Sequence, residues 1–406
     1  MKIKSIKKIK KTPILDCIAI SFAVFGIGRI IWDGYNFIMF LLAMIWIMLA
    51  LLKAPKLYFL KEKRCVIFLL FFVLYVVLLI ISDDKKTAIS YGGTYAIYLI
   101  VLLMGAFYYS EDKKKRLRKI VTVSMIWIGI MCICAILYYF KHPGAARLYA
   151  THRSDLNGYM IGGGYQLAYI SSMLLPVCGR YAIKRKFKTW FTLLGLLMIG
   201  LVLKTSSMII ILTAIVGCVV EIAFSGRGKK KVYMLMMTAG VGIFLYLIRA
   251  NIGQILIDIA GGREVTSFAN MNNAVFVRMT EIGMQLKGIS VGEYSATVLR
   301  IQNYMKPIEE IISHPFLGGI LEYGVSPESG VFNDSTIITA LSCWGIPMGC
   351  LYLYPFGDTF KFYKKHKGAI VAVIMTLLLN PSIGFSVVYG SCFLLPAFDK
   401  VYEIKT

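Results

Sequence analysis

Apolar runs long enough to cross a bilayer recur from one end of this chain to the other, broken only by short polar segments. A helix needs about 20 apolar residues to span the hydrocarbon core, and it satisfies its own backbone groups where lipid cannot. On that basis the pattern predicts spans near 14–32, 36–52, 65–82, 88–109, 120–140, 163–179, 189–204, 206–224, 232–248, 335–356, 368–380 and 384–398. The last two are short and flank Asn380-Pro381, so a re-entrant hairpin is an alternative to two full spans there. The expected fold is all-α, a polytopic transmembrane bundle of about 12 spans, with residues 1–406 forming a single membrane domain.

Two segments break the rhythm of short turns. One is 141–162, and the other is the long polar stretch 249–334 between the ninth and tenth spans. Loops beyond about 12–15 residues are usually functional or disordered. Within the longer one, Tyr304, Ile308, Ile311 and Ile312 fall at helical spacing with Lys306, Glu309 and Glu310 between them. That pattern predicts amphipathic helices lying on the membrane or folded over the bundle. The stretch His314-Pro315-Phe316-Leu317-Gly318-Gly319 then reads as a helix stop followed by a turn.

Composition agrees with lipid as the main solvent. The chain is 58% hydrophobic and only 16% charged, with a formal charge of +24; soluble chains carry about 45–50% apolar and about 25% charged residues. In a soluble protein such a charge would suggest nucleic acid. Here the basic residues sit in short clusters between apolar runs, which is membrane topology instead, and no nucleic-acid partner is expected. With the N-terminus placed in the cytoplasm, segments 1–13, 53–64, 110–119, 180–188, 225–231, 357–367 and 399–406 are cytoplasmic and hold 32 of the 45 lysines and arginines. Both termini are then cytoplasmic, and 249–334 is external. The Lys-rich stretch Met1–Lys11 resembles the start of a signal peptide, but no small-x-small cleavage site follows, so an uncleaved first span is expected. The nine cysteines form no CxxC pair and lie mostly in apolar runs, as packing residues do.

No nucleotide-binding loop, HExxH metal motif or nucleophile elbow is present. Positive charge on the external side is the more informative signal, because it is normally depleted there. Arg147, Arg153, Lys204, Arg249, Arg263, Arg278, Lys287, Arg300 and Lys306 make up that set. Arg153 and Arg300 stand out, since each precedes a segment that returns to the membrane, and a guanidinium fork suits phosphate oxygens. Lys204 lies in Leu203-Lys204-Thr205-Ser206-Ser207, a hairpin too short to leave the membrane surface. A charge at that depth is either functional or a lysine snorkelling to the headgroups. Gly162-Gly163-Gly164 opens a span, where glycines permit close helix packing or let a helix N-terminus meet phosphate. Asp334 stands at the mouth of the tenth span, as a helix cap or as a general base for a sugar hydroxyl.

Three of these features together resemble the bacterial O-antigen ligase and O-antigen (capsular, exopolysaccharide) polymerase superfamily. The first is Arg153-Ser-Asp-Leu-Asn-Gly-Tyr-Met-Ile-Gly-Gly-Gly164, leading into Tyr165-Gln166-Leu167-Ala168 and on to Leu174-Leu175-Pro176. The second is the tight Lys204-Thr205-Ser206-Ser207 hairpin. The third is the long loop with Arg300, then His314 to Gly319, then Asn333-Asp334-Ser335 opening a span that holds Gly345 and Gly349. The resemblance covers roughly residues 150–355. Two departures matter. Family members often carry an arginine in the serine hairpin, where this chain has Ser207-Met208 and Lys204 supplies the charge. The ligase branch has histidine where Asp334 falls here, which leans toward a polymerase.

The resemblance implies a repeat-unit polymerase of the bacterial cytoplasmic membrane, acting on oligosaccharides carried by undecaprenyl pyrophosphate. It implies catalytic roles for Asp334, Arg153 and Arg300, and substrate contacts for Arg278, Lys204, Gly164 and His314. No acidic pair suited to a divalent cation is evident outside, so neither a metal nor another cofactor is expected. Membrane lipid and a chain-length regulator are the further candidate partners. The rival readings are a ligase that uses the same donor with another acceptor, and a lipid-linked-oligosaccharide flippase; the 249–334 insertion argues against the flippase.

Overall fold

A computed structural model describes residues 13–28, 35–53, 61–81, 85–109, 113–142, 145–146, 165–182, 188–205, 207–225, 274–289, 296–319, 335–380 and 384–402, with 246–261 and a few scattered residues from 236 to 244. Among the described residues the chain is helical throughout, with no strand. The helices are α1 (Pro13–Gly28), α2 (Tyr35–Lys53), α3 (Lys63–Ile81), α4 (Lys85–Tyr108), α5 (Lys114–Lys141), α6 (Gln166–Ala182), α7 (Lys188–Lys204) and α8 (Met208–Ser225). They continue with α9 (Arg249–Ala260), α10 (Ala274–Leu286), α11 (Ala296–Ser313), α12 (Thr336–Thr359), α13 (Lys367–Leu379) and α14 (Phe385–Val388). A π-helical stretch, Tyr389–Leu394, joins α14 to α15 (Leu395–Tyr402).

Among the described residues four stretches are long and apolar enough to cross a membrane: Lys63–Ile80, Tyr91–Tyr108, Lys114–Lys141 and Thr336–Tyr363. Shorter apolar helices occupy Ile14–Gly28, Phe37–Leu52, Ile209–Phe224 and Lys367–Leu379. Each falls where the hydropathy pattern put a span. Of the span expected at 232–248, only scattered residues are described. Segment 249–334, read as a long loop, contains α9, α10 and α11.

The helices are apolar on both faces, but the two faces differ. On α3, Phe68, Phe71 and Tyr75 are buried, whereas Leu70, Val73, Val77 and Ile80 are exposed. On α5, Met125, Ile128, Cys132 and Ala135 are buried, whereas Ile126, Ile130, Ile133 and Leu137 are exposed. A helix in water would put charge on its outer face. Aliphatic outer faces belong to helices solvated by acyl chains.

Aromatic rings fill the space between α3, α4 and α12. The Trp344 ring centroid lies 5.0 Å from Phe71, 5.5 Å from Tyr95 and 4.9 Å from Tyr352. Most of these pairs are edge-on, the arrangement that ring quadrupoles favour.

Polar contacts sort the helix termini into two ends. At the end carrying the basic clusters, Asp16 of α1 takes a bidentate pair from Arg116 of α5 and a hydrogen bond from Tyr108 of α4 at 2.9 Å. Arg64 of α3 donates to Thr359 of α12 at 3.4 Å, and Lys400 of α15 donates to the Tyr109 carbonyl. Arg180 of α6 pairs with Glu221 of α8 at 2.9 Å, and the Gly368 N–H of α13 donates to the same carboxylate at 2.9 Å. At the opposite end, Thr336 of α12 donates to the carbonyl of Asn380, just past α13, and Lys204 of α7 sits over Phe140 of α5. Phe22 of α1 meets Phe385 of α14, 5.2 Å between centroids. Neighbouring elements therefore run in alternating directions. Since α8 ends at the basic end and α12 starts at the opposite one, the chain between them makes a net crossing of the bundle.

The crossing of α8 and α13 is close enough to involve backbone. A Cβ on Gly368 would lie 2.0 Å from the Gly217 carbonyl oxygen, and one on Gly217 would lie 3.1 Å from the Gly368 carbonyl oxygen. Small residues at such crossings let helices approach where the hydrophobic effect gives no help. Gly368→Val should therefore destabilise the detergent-solubilised protein by about 1–3 kcal/mol, read as a lower melting temperature. Gly179→Ala on α6 has open space beside it and should leave that temperature unchanged.

Candidate functional site

The third motif of the sequence closes on itself in space. In α12 the sequence Trp344-Gly345-Ile346-Pro347 breaks the helix. Pro347 lacks an N–H and disfavours helical backbone at the residue before it. Gly345 takes φ 70° and ψ 171°, a conformation essentially reserved to glycine. An unbroken helix would join the Ile346 N–H to the Ser342 carbonyl, four residues back. Here that bond is open, and the turn after α11 fills both halves. The Ile346 N–H donates to the Pro315 carbonyl at 2.7 Å, and the Gly319 N–H donates to the Ser342 carbonyl at 2.8 Å.

The fit leaves no room for side chains at the contact. A Cβ on Gly345 would lie 2.4 Å from the Phe316 backbone, and one on Gly318, itself at φ 59°, would lie 2.5 Å from the Gly345 nitrogen. The turn is thus clamped into the broken helix as a backbone-to-backbone clasp. Beside it, His314 Nδ1 lies 2.8 Å from Glu310 Oε1, one helical turn back. The carboxylate holds the ring, and the imidazole stays exposed.

The expected site residues divide between those that the structure describes and those that it does not. His314 belongs to the clasp. Arg300 lies in α11, the helix that delivers the clasp to α12, and Arg278 lies in α10, which packs on α9; the side chains of both lie outside the described residues. Arg153, Gly164 and Asp334 lie outside them altogether. The cap of α12 is Ser335, whose side chain accepts from the Ile338 N–H at 3.3 Å, so the capping role read for Asp334 falls to its neighbour. Lys204 ends α7, with its ammonium 3.5 Å from the centroid of the Phe140 ring. That contact gives the exposed Lys204 charge a local partner in α5.

Near the start of α12, Thr336 donates to the Asn380 carbonyl at 2.7 Å, which satisfies the last turn of α13. Gln166, at the start of α6, packs against Gly384, where a Cβ would lie 2.1 Å from the amide oxygen. The Gln166 oxygen is buried and accepts no hydrogen bond among the described residues.

Two buried charged clusters went unread in the sequence, and both lie at the basic end. Glu221 is almost fully buried and accepts from Arg180 and the Gly368 N–H, with His366 Nδ1 3.2 Å away. Arg64 is fully buried, packed against the Phe362 ring at 4.6 Å and the Tyr109 ring at 5.2 Å, with Glu62 at 3.5 Å. A single glutamate inside the apolar run 208–225 was the available signal for the first. Arg64 carried no signal, since it sits in a basic loop like its neighbours. Both clusters tie helix ends together and lie on the far side of the bundle from the clasp.

The clasp predicts a sharp contrast between glycines at the contact and one elsewhere in α12. Gly345→Ala and Gly318→Ala should each cost at least about 1–3 kcal/mol from backbone strain alone, with the overlap adding to it. Gly357→Ala, with open space beside it, should be neutral. Melting temperatures of the three purified variants would make the comparison.

No protein-family model matches this chain, and no curated protein matches it.

Proposed function

We propose that this protein is a repeat-unit polymerase at the outer face of the bacterial cytoplasmic membrane. It joins oligosaccharides carried on undecaprenyl pyrophosphate into O-antigen, capsular or exopolysaccharide. The observation that carries the reading is the clasp. Two pieces of the motif on which the resemblance rests, His314–Gly319 and the glycines of α12, are far apart in sequence and interlocked in space. Arg300 and Asp334 belong to the two segments that the clasp joins, α11 and the entry to α12.

In this reading the chain has about 12 spans, both termini are cytoplasmic, and 249–334 is external. The alternating helix directions support that topology, and the net crossing between α8 and α12 supports a span at 232–248. The end with the basic clusters is the cytoplasmic one, which puts the clasp toward the outside.

The reaction is a displacement at an anomeric carbon. A sugar hydroxyl of the incoming lipid-linked unit attacks the anomeric carbon of the growing chain and forms the new glycosidic bond. The bond from that carbon to the pyrophosphate oxygen breaks, and the lipid pyrophosphate leaves with the electron pair. Asp334 takes or orients the hydroxyl proton. Arg153 and Arg300, with Arg278 and Lys204 assisting, hold the charge that develops on the diphosphate. A single direct displacement inverts the anomeric centre.

Proteoliposomes given purified lipid-linked repeat units should build longer glycans. A ligase would instead move glycan only to a different acceptor, and a flippase would move the lipid without lengthening its sugar. Arg153→Ala and Arg300→Ala should each abolish elongation at normal expression. Asp334→Asn should slow it by about 10²–10⁴-fold, the usual contribution of a general base. Chain lengths like those of the wild type in all three variants would overturn the site assignment.

A further inference from the structure

We propose that the C-terminal end of α11 and its turn are inserted into the outer leaflet, and that their exposed apolar flank binds lipid acyl chains. This placement goes beyond the polymerase reading, and only the choice of the outer leaflet over the inner one rests on the orientation given with that reading. It rests on where the clasp falls along α12 and on the three-sided character of α11.

The depth follows from helix geometry. Thr336–Tyr363 covers 28 residues, about 42 Å at about 1.5 Å per residue, against a hydrocarbon core of about 30 Å. The Asp358–Lys361 ion pair, with its lysine half exposed, cannot lie in hydrocarbon and fixes the inner limit of the span. Counting about 20 residues outward from there brings the outer limit near Thr339. Gly345 then lies about 10 Å inside the hydrocarbon. The turn Pro315–Gly319 is hydrogen-bonded to Ser342 and Ile346 on either side of it, so it sits at the same depth.

At that depth one flank is apolar, while the Glu310–His314 pair, its ring half exposed, lies on the far side of α11 from Ile312. Ile346 is 45% exposed, and Pro347 and Cys350 of the same helix are exposed as well. Their surface runs directly into the turn, where Phe316 is 76% and Leu317 53% exposed, and on to Ile312 at 74%. Left in water, such a patch would be costly; continuous with the lipid-facing side of a spanning helix, it has a ready occupant.

At about 100° per residue, α11 presents three flanks. Pro307 is buried against the bundle, with Ile311 partly covered beside it. Met305, Ile308 and Ile312 form one exposed flank, and Lys306, Glu309 and Ser313 form the other. An element with lipid on one side and water on the other is expected to divide just this way. The polar flank then marks water reaching below the headgroups next to the clasp.

Photo-cross-linking tests this directly. The photoreactive amino acid p-benzoyl-phenylalanine would be placed at position 312, 316, 317 or 309 of the full-length protein, reconstituted in vesicles of a single synthetic phospholipid. After irradiation, intact-mass spectrometry should show a phospholipid adduct at 312, 316 and 317, at several-fold higher yield than at 309. Probing three apolar positions keeps the test decisive if one substituted protein fails to fold. Equal yields at 309 and the apolar positions, cross-links into another protein segment or a second copy of the chain, or no lipid adduct at any apolar position would each overturn the proposal.

Discussion

A peptide group inside hydrocarbon has no water to bond with, so wherever a spanning helix is interrupted the protein itself must supply the missing partner. Three interruptions in this chain are met that way. At Gly345 the opened pair, Ser342 carbonyl and Ile346 N–H, is taken up by the backbone of the turn after α11. At Pro396 the missing N–H leaves the Cys392 carbonyl free, and the Tyr109 hydroxyl reaches it at 3.1 Å and the Phe393 carbonyl at 2.7 Å. At Asn380 the carbonyl past the end of α13 is taken by Thr336. Each repair joins segments distant in sequence, so the places where helices fail are also the places where the bundle is fastened.

The same constraint gives the clasp its functional interest. A helix broken in mid-span is costly unless its free groups are engaged, and here they are engaged by the turn after α11. That turn follows the helix that bears Arg300 and the carboxylate–imidazole pair Glu310–His314 at its end. Glycine at 318 and 345 is required because the two backbones approach to distances no Cβ permits. The turn is therefore fastened to the broken α12 backbone to backbone.

The charged side chains divide the bundle between two tasks. At the basic end, Glu221 and Asp16 are buried and paired across helices, and buried Arg64 pairs with Glu62 just before its own helix and donates to Thr359 of α12. Breaking such a pair leaves an uncompensated charge, which strongly destabilises a protein. At the other end, described cations such as Lys204 are exposed and lean on a ring rather than on a carboxylate.

Helix positions were legible in the amino-acid sequence because the length of an apolar run is a one-dimensional quantity set by bilayer thickness. Helices α1 to α8, α12 and α13 begin and end close to the limits that hydropathy assigns. The stop at His314-Pro315 was legible too, since it depends on proline and glycine backbone preferences alone. The candidate site was legible only as a list of residues. That Gly318 must meet Gly345 depends on which helices lie side by side, and Ser335 and Asp334 are both good caps, so the sequence did not choose between them. The pairing of Glu221 with Arg180 and His366 was invisible for the same reason, since three helices far apart along the chain supply it. Local chemistry and hydropathy thus determined where the chain turns and crosses, while packing between distant segments decided which of its polar groups meet.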